Sequence, residues 1–246
     1  MRLKVKSQIH DAEARKQGIL DDCGPAATAA AIGWVTGEDI DVSAFVAEYT
    51  KVVGREDKQG VSSAGATFAE NIKMAARHGA KGTWPKSWDQ VVRAAQLGAA
   101  IILNVQGPKG YPAGKMSAWT RKWIAYWTKK DPAHVAKGFG HYVTVAFCDD
   151  CGWQYADPTM TGKGKEAEAF LISEADFAAM ASGKGRAKHT TCIIITTAQK
   201  KTQPTPSVPA KPKETPAVAP VPAPAPKPIV AAIRRIIDRR FGRVAK

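Results

Sequence analysis

Cysteine is scarce here: four residues in a chain of 246. So few thiols in a chain of this length exclude a disulfide-stapled scaffold. No run of about eighteen apolar residues occurs, so no membrane-spanning helix is expected. The opening Met-Arg-Leu-Lys-Val-Lys carries charge but leads into no apolar segment, and a secretory signal is not expected. The glycine-rich phosphate loop ending in Gly-Lys-Ser/Thr is also absent. Acidic side chains are the minority, 22 against 36 Lys and Arg, for a formal net charge of +14.

The basic excess is uneven. Residues 200–246 hold eleven Lys and Arg against Glu214 and Asp238, a local charge of +9, which leaves +5 for the 199 residues before them. Such an excess attracts polyanions: nucleic acid, anionic lipid or acidic wall polymer. Residues 200–228 are dominated by Pro, Ala, Lys and Val and read as an extended, semi-rigid linker without a core. Beyond Pro228, Ile229, Ile233, Ile236, Ile237, Phe241 and Val244 share one helical face, with Arg234, Arg235, Arg239, Arg243 and Lys246 mostly off it. Residues 229–246 therefore read as a basic amphipathic helix, too short to cross a bilayer but suited to an anionic membrane, a wall polymer or a virion partner. A nucleic-acid partner is disfavoured, because aromatic interleaving and a recognised binding motif are missing.

Residues 1–199 read as one domain, and 44% hydrophobic residues overall supply a core. Leu3 and Val5 alternate with polar residues and suggest a short edge strand over 2–6. An Ala-rich helix spans 24–35, Asp41-Val42-Ser43 caps a helix over 43–53, a third helix covers 65–78 up to Gly79, and Ser87 caps a fourth over 88–97. After Gly98 the pattern turns to strands: 99–105, 141–147, 152–156 and 192–197, with Asp149-Asp150 as a hairpin turn and a helix beginning near Ser173-Glu174. Helices followed by strands indicate an α+β domain with a mainly antiparallel sheet. An insertion, 107–140, contains a helix over 117–130 whose Trp119, Trp123 and Trp127 share one face. That face either packs the insertion onto the domain or walls a groove leading to His141.

Cys23 stands at the start of the Ala-rich helix, followed by Gly24-Pro25, and Pro is tolerated in a first turn. The positive end of the helix favours a thiolate there. Gln17 lies six residues upstream, an amide that can reach the same site; Gln8 also precedes the cysteine. His141 opens an apolar strand, and Asp157 follows sixteen residues later in Tyr-Ala-Asp-Pro. Thiol, imidazole and carboxylate supply nucleophile, base and orienting group. The remaining histidines lack this setting: His78 ends a helix, His134 follows Asp131-Pro132 in a loop, and His10 and His189 have no acidic partner in the pattern. Cys192 reads as a buried strand residue. Cys148 and Cys151 would make half a zinc site with no second pair of ligands, so they read as incidental thiols at a turn. No metal and no cofactor is expected.

With Gln before Cys-Gly, then a His opening a strand, then Asp-Pro, the chain resembles the papain-like cysteine peptidases of the bacteriocin-processing, double-glycine leader type over roughly residues 10–197. The resemblance implies a papain-like fold, a helical lobe followed by the sheet. It also implies Cys23 as nucleophile, His141 as base, Asp157 as orienter and Gln17 in the oxyanion hole. Members of that group are usually fused to a membrane transporter, whereas no membrane segment and no phosphate loop is expected in this sequence. Free-standing domains similar to this one occur in lytic enzymes of bacteriophages. The resemblance, the linker and the basic terminal helix together suggest a phage enzyme cutting peptidoglycan peptides, as an endolysin or a virion-associated lysin. It would be made in the host cytoplasm and act at the cell wall or be carried in the virion. Two alternatives stand beside it: a virion structural or tail protein docked by its terminal helix, and a peptidase that processes a leader or precursor.

Overall fold

The protein is described by a computed structural model over residues 2–7, 22–54, 66–107, 111, 115–116, 121, 124–125, 128–129, 131–137, 139–159, 168–182 and 187–198. These fall within one unit, Met1–Lys201. Gln8, His10, Gln17, the loop at 60–62, Trp119, Trp123, Trp127, the Pro-rich linker and the amphipathic segment 229–246 lie outside the described residues.

Among the described residues three helices come first: α1 (Cys23–Thr36), α2 (Val42–Val53) and α3 (Phe68–Arg77). α1 has no polar face. Residues Cys23 to Ile32 are all buried, as is Trp34, and a helix apolar all round belongs at the centre of a fold. Its alanines are small enough to let it lie close to the sheet. It stops at Gly37, whose φ of +78° lets the backbone turn and whose N–H bonds the Gly33 carbonyl at 3.0 Å. α2 is capped by Asp41, which accepts the Ala44 N–H at 2.8 Å. Thr67 and Glu70 form a reciprocal capping box at the start of α3.

Further elements with described bounds are β1 (Ala80–Thr83), α4 (Trp88–Gln96), β2 (Ala100–Gly107), α5 (Pro132–Lys137), β3 (Phe139–Cys148), β4 (Gly152–Ala156), β5 (Phe170–Ile172), α6 (Glu174–Ser182), the 3-10 turn Lys188–Thr191 and β6 (Cys192–Thr197). The six strands form one antiparallel sheet in the order β1-β6-β2-β3-β4-β5. Both faces are covered, which is why β2 and β6 read as unbroken apolar runs. Ile102, Ala146, Ile193 and Ile195 point to the side of α1, α2 and α3; Ile101, Leu103, Val143, Val145 and Ile194 point to the side of α4 and α6. Each isoleucine or leucine so buried contributes about 1.5–3 kcal/mol.

The α+β class and its antiparallel sheet stand as expected. Corrections are local. Residues 2–6 form no strand: Lys4 makes a single bridge to Glu168, while the Leu3 N–H bonds the Gln154 side chain at 2.9 Å. β1 and β5 were not anticipated, being too short to show alternation. His134 lies in a helix, α5, and not in a loop, because Pro132 suits a first helical turn. Arg121, Ile124, Ala125, Thr128 and Lys129 are helical, as read for the insertion.

Two features hold α1 over the sheet. Thr144, on β3, donates from Oγ1 to the Ala27 carbonyl at 2.8 Å, one turn into the helix. Gly24 packs against Ala66 and the Tyr142 ring so closely that a Cβ there would overlap that of Ala66. Cys23 is thereby fixed beside the opening residues of β3.

Candidate active site

Cys23 is the first residue of α1 and is nearly buried. The residue before it, Asp22, gives no side-chain cap, although its carbonyl accepts the Ala26 N–H at 2.9 Å. His141 is the third residue of β3, opposite Val105 of β2. Asp157 follows the last residue of β4. Tyr155 pairs with Val145, so Asp157, two residues further on, returns to the face that carries His141.

The imidazole Nε2 lies 2.9 Å from Asp157 Oδ1, with both side chains buried. That bond commits Nε2–H to the carboxylate and leaves Nδ1 outside the pair, and Cys23 lies within hydrogen-bonding reach of the ring. Burial pushes the His141 pKa down. The Asp157 charge and hydrogen bond, helped by the Cys23 thiol, outweigh it and raise the pKa to about 10. Asp157 is held below the usual carboxylate range: burial opposes ionisation, but His141 and the Thr159 donors prevail. The pair is an imidazolium and a carboxylate through the neutral range.

Asp157 has three further bonds that sequence reasoning missed. Tyr155 donates its hydroxyl to Oδ2 at 2.9 Å; the Thr159 N–H and Oγ1–H both donate to Oδ1, at 2.9 and 2.7 Å. The Thr159 contact has a local signal, since Asp followed two residues later by a backbone donor is the Asx turn favoured by Asp-Pro-Thr. Tyr155 is signalled by alternation, being two residues before Asp157. Tyr111, from the segment after β2, stacks obliquely on His141 with ring centroids 5.9 Å apart. Nothing in the sequence marked it.

A groove lies beside this site. Phe68 stands edge-on to Tyr142 (5.2 Å) and to Trp84 (5.4 Å), and the three rings line a cavity of about 350 Å³ with Thr67, Asn104 and Thr191. Tyr142 follows His141 and touches the Gly24 position, so this cavity adjoins the start of α1. Trp84 is half exposed although it is large and apolar.

The other expected candidates sit elsewhere. His78 closes α3 with Nε2 3.0 Å from Glu48 Oε2, and His189 lies in the 3-10 turn Lys188–Thr191. Cys192 is buried, which pushes its thiol up to about 12. Cys148 and Cys151 bracket the β3–β4 turn; the Cys151 N–H bonds the Cys148 carbonyl at 3.1 Å and the sulfurs approach to 2.9 Å. Their hydrogen bond lowers the Cys148 pKa and raises that of Cys151. No cluster of three His, Cys, Asp or Glu suited to a metal occurs among the described residues. No described helix is long and apolar enough to cross a membrane. Gln17 lies outside the described residues, so its distance from Cys23 is not part of this geometry.

No family model matches the chain, and no curated protein matches it. Among solved structures it is similar to a provisionally assigned C39-like peptidase from Bacillus anthracis, at 11% identity and a TM-score of 0.39, over 71% of this chain and 88% of that one. A likeness that loose fixes neither activity nor substrate.

Proposed function

We propose that this chain is a papain-like cysteine peptidase that cleaves peptide bonds of bacterial peptidoglycan. The observation that carries the peptidase reading is the buried His141–Asp157 pair at 2.9 Å, with Cys23, at a helix start, within hydrogen-bonding reach of the imidazole. In this reading the Cys23 proton resides on Nδ1 of His141, and Asp157 stabilises the imidazolium. The thiolate attacks the scissile carbonyl. The Cys23 backbone N–H and the Gln17 amide receive the oxyanion. His141 protonates the leaving amine, and water then releases the acyl group from sulfur.

The wall substrate is supported by layout. A hydrolytic domain, a Pro-rich linker and a basic amphipathic segment suit an enzyme working on an anionic, insoluble target, as in an endolysin or virion-associated lysin of a bacteriophage. The aromatic groove of Phe68, Trp84 and Tyr142 reaches the start of α1 where Tyr142 packs at Gly24, and it offers the apolar wall that peptide recognition needs. The test is incubation of the full chain with purified peptidoglycan, followed by mass analysis of soluble products. New peptide termini are expected with the wild type and none with Cys23→Ala. Intact peptidoglycan beside a cleaved protein precursor would move the substrate to a processing role, and equal release by both proteins would end the peptidase reading.

A further inference from the structure

Two thiols outside the site just described face each other. Cys148 ends β3, Cys151 closes the turn before β4, and both are partly exposed. The Cys151 N–H bonds the Cys148 carbonyl at 3.1 Å, so residues 148–151 form a β-turn, and Gly152, at φ +74°, lets the chain run back as β4. The first and fourth residues of such a turn have Cα atoms within about 7 Å, a separation that a disulfide can bridge. The side chains close the gap further: the Cys151 thiol donates to Cys148 Sγ at 2.9 Å. A disulfide bond is about 2.05 Å long, so closure needs less than about 1 Å of movement at the sulfurs. Each thiol can be reached. Cys148 lines a cavity of about 480 Å³ with Trp34, Gln96 and Leu97, and Cys151 lines another of about 490 Å³ with Arg2, Lys4 and Gln154. Cys23 and Cys192, by contrast, are buried. No third ligand turns the pair into a metal cluster among the described residues. Cys-x-x-Cys spacing alone does not say whether two side chains meet, which is why the sequence suggested incidental thiols; the turn brings them together.

We propose that Cys148 and Cys151 form a second reactive site, a dithiol that low-molecular-weight disulfides oxidise, with Cys148 attacking and Cys151 resolving. It stands independently of the peptidase reading. The Cys148 thiolate bonds to one sulfur of the external disulfide, the S–S bond of that molecule breaks, and its other half leaves as a thiolate with the bonding pair. The Cys151 thiol then gives its proton to solvent and bonds to the Cys148 sulfur, and the second half leaves in the same way. The departing thiolates take up two protons. The chain has lost two electrons and two protons, and one external disulfide has become two thiols. The roles follow from the hydrogen bond. As the acceptor, Cys148 is held below the ordinary thiol range; as the donor, Cys151 is pushed above it. Closure ties the end of β3 to the turn that leads into β4, in the hairpin whose strands carry His141 and lead to Asp157.

The test uses the full chain carrying Cys23→Ala, which removes the other candidate nucleophile, alone and with Cys148→Ser or Cys151→Ser added. The turn's hydrogen bond is between backbone groups, so either serine variant keeps it. The oxidant is bis(2-hydroxyethyl) disulfide, which has no charge for Asp149 and Asp150 to repel or attract. Products are followed by mass spectrometry of the chain and of the tryptic peptide that holds both cysteines, since no Lys or Arg lies between Lys137 and Lys163. With both thiols present, the chain should become lighter by two hydrogen atoms, with the change inside that peptide and reversed by dithiothreitol. Cys151→Ser should stop at a mercaptoethanol adduct on Cys148. Cys148→Ser should form its adduct about threefold or more slowly, because a more acidic thiol gains in thiolate more than it loses in nucleophilicity. The closed form should melt at or above the temperature of the dithiol form. Stable adducts on both thiols without closure overturn the proposal, as does pairing with Cys192. Equal adduct rates in the two serine variants overturn it too, and so does a closed form that melts lower, because the turn would then have to distort to close.

Discussion

Asp157 accepts from His141, from Tyr155 and twice from Thr159, and none of its surface reaches solvent. Four donors converging on one buried carboxylate fix its orientation, and through it the tautomer and tilt of His141. The His141 pKa is raised from 6.5 to about 10, so its contribution to stability is complete below pH 6.5 and is lost as pH climbs through about 10. Asp157 is lowered from 3.8, so its contribution is present above pH 3.8 and is lost as acid takes the pH down through the folded value. Denaturant midpoints should therefore be highest between those limits and decline toward pH 10. In Asp157→Asn the effect of burial is left without its main counterweight, so the His141 titration followed by NMR should move sharply downward from about 10. The alkaline decline should shrink with it, and hydrolysis should fall by about a hundredfold or more. An unmoved titration would show that another group holds the imidazolium. Cys23, His141 and Asp157 were open to naming as candidates from the sequence, because their residue types and chain order are visible without the fold. Tyr111 was not, because its contact with His141 exists only after folding.

Among the elements, α1 was read almost to its last residue, since an Ala-rich run ended by Gly37 has few other solutions. β2, β3, β4 and β6 were legible from their apolar runs. β1, with Ala-Lys-Gly-Thr, and β5, with three residues, carry no pattern of their own and are strands because β6 and β4 supply their partners. The junction of α1 with the loop before α3 depends on a missing side chain. Gly24 has no room for a methyl group, because Ala66 occupies that space, and overpacking of this kind costs about 1–3 kcal/mol. Gly24→Ala should lower the urea midpoint and, by displacing α1, should also slow acylation of Cys23. Ala66→Gly in the same chain should restore part of both. A Gly24→Ala protein with unchanged midpoint and acylation rate would mean that Ala66 yields at no cost.

At the scale of the whole chain, charge and composition divide sharply near residue 200, with +9 beyond it. Deleting 229–246 should leave ester and soluble-peptide turnover intact while weakening action on whole cells or incorporation into particles. The full chain's attachment to an anionic surface should weaken as salt rises. If the truncated protein loses soluble-substrate turnover, the segment belongs to the catalytic domain. The sheet order adds a condition of timing. Every residue of the proposed triad has been synthesised by residue 157, yet β6, the last strand, is the one that enters the middle of the sheet, joining β1 to β2 with Ala80 opposite Thr197 and Leu103 opposite Cys192. Pairings so distant in sequence form late and slowly. Until Cys192–Thr197 emerges, β1 has no described ladder partner and β2 offers an open edge. A growing chain thus carries its nucleophile for some time without the framework that would arm it, and the finished site appears only after Thr197 has been made.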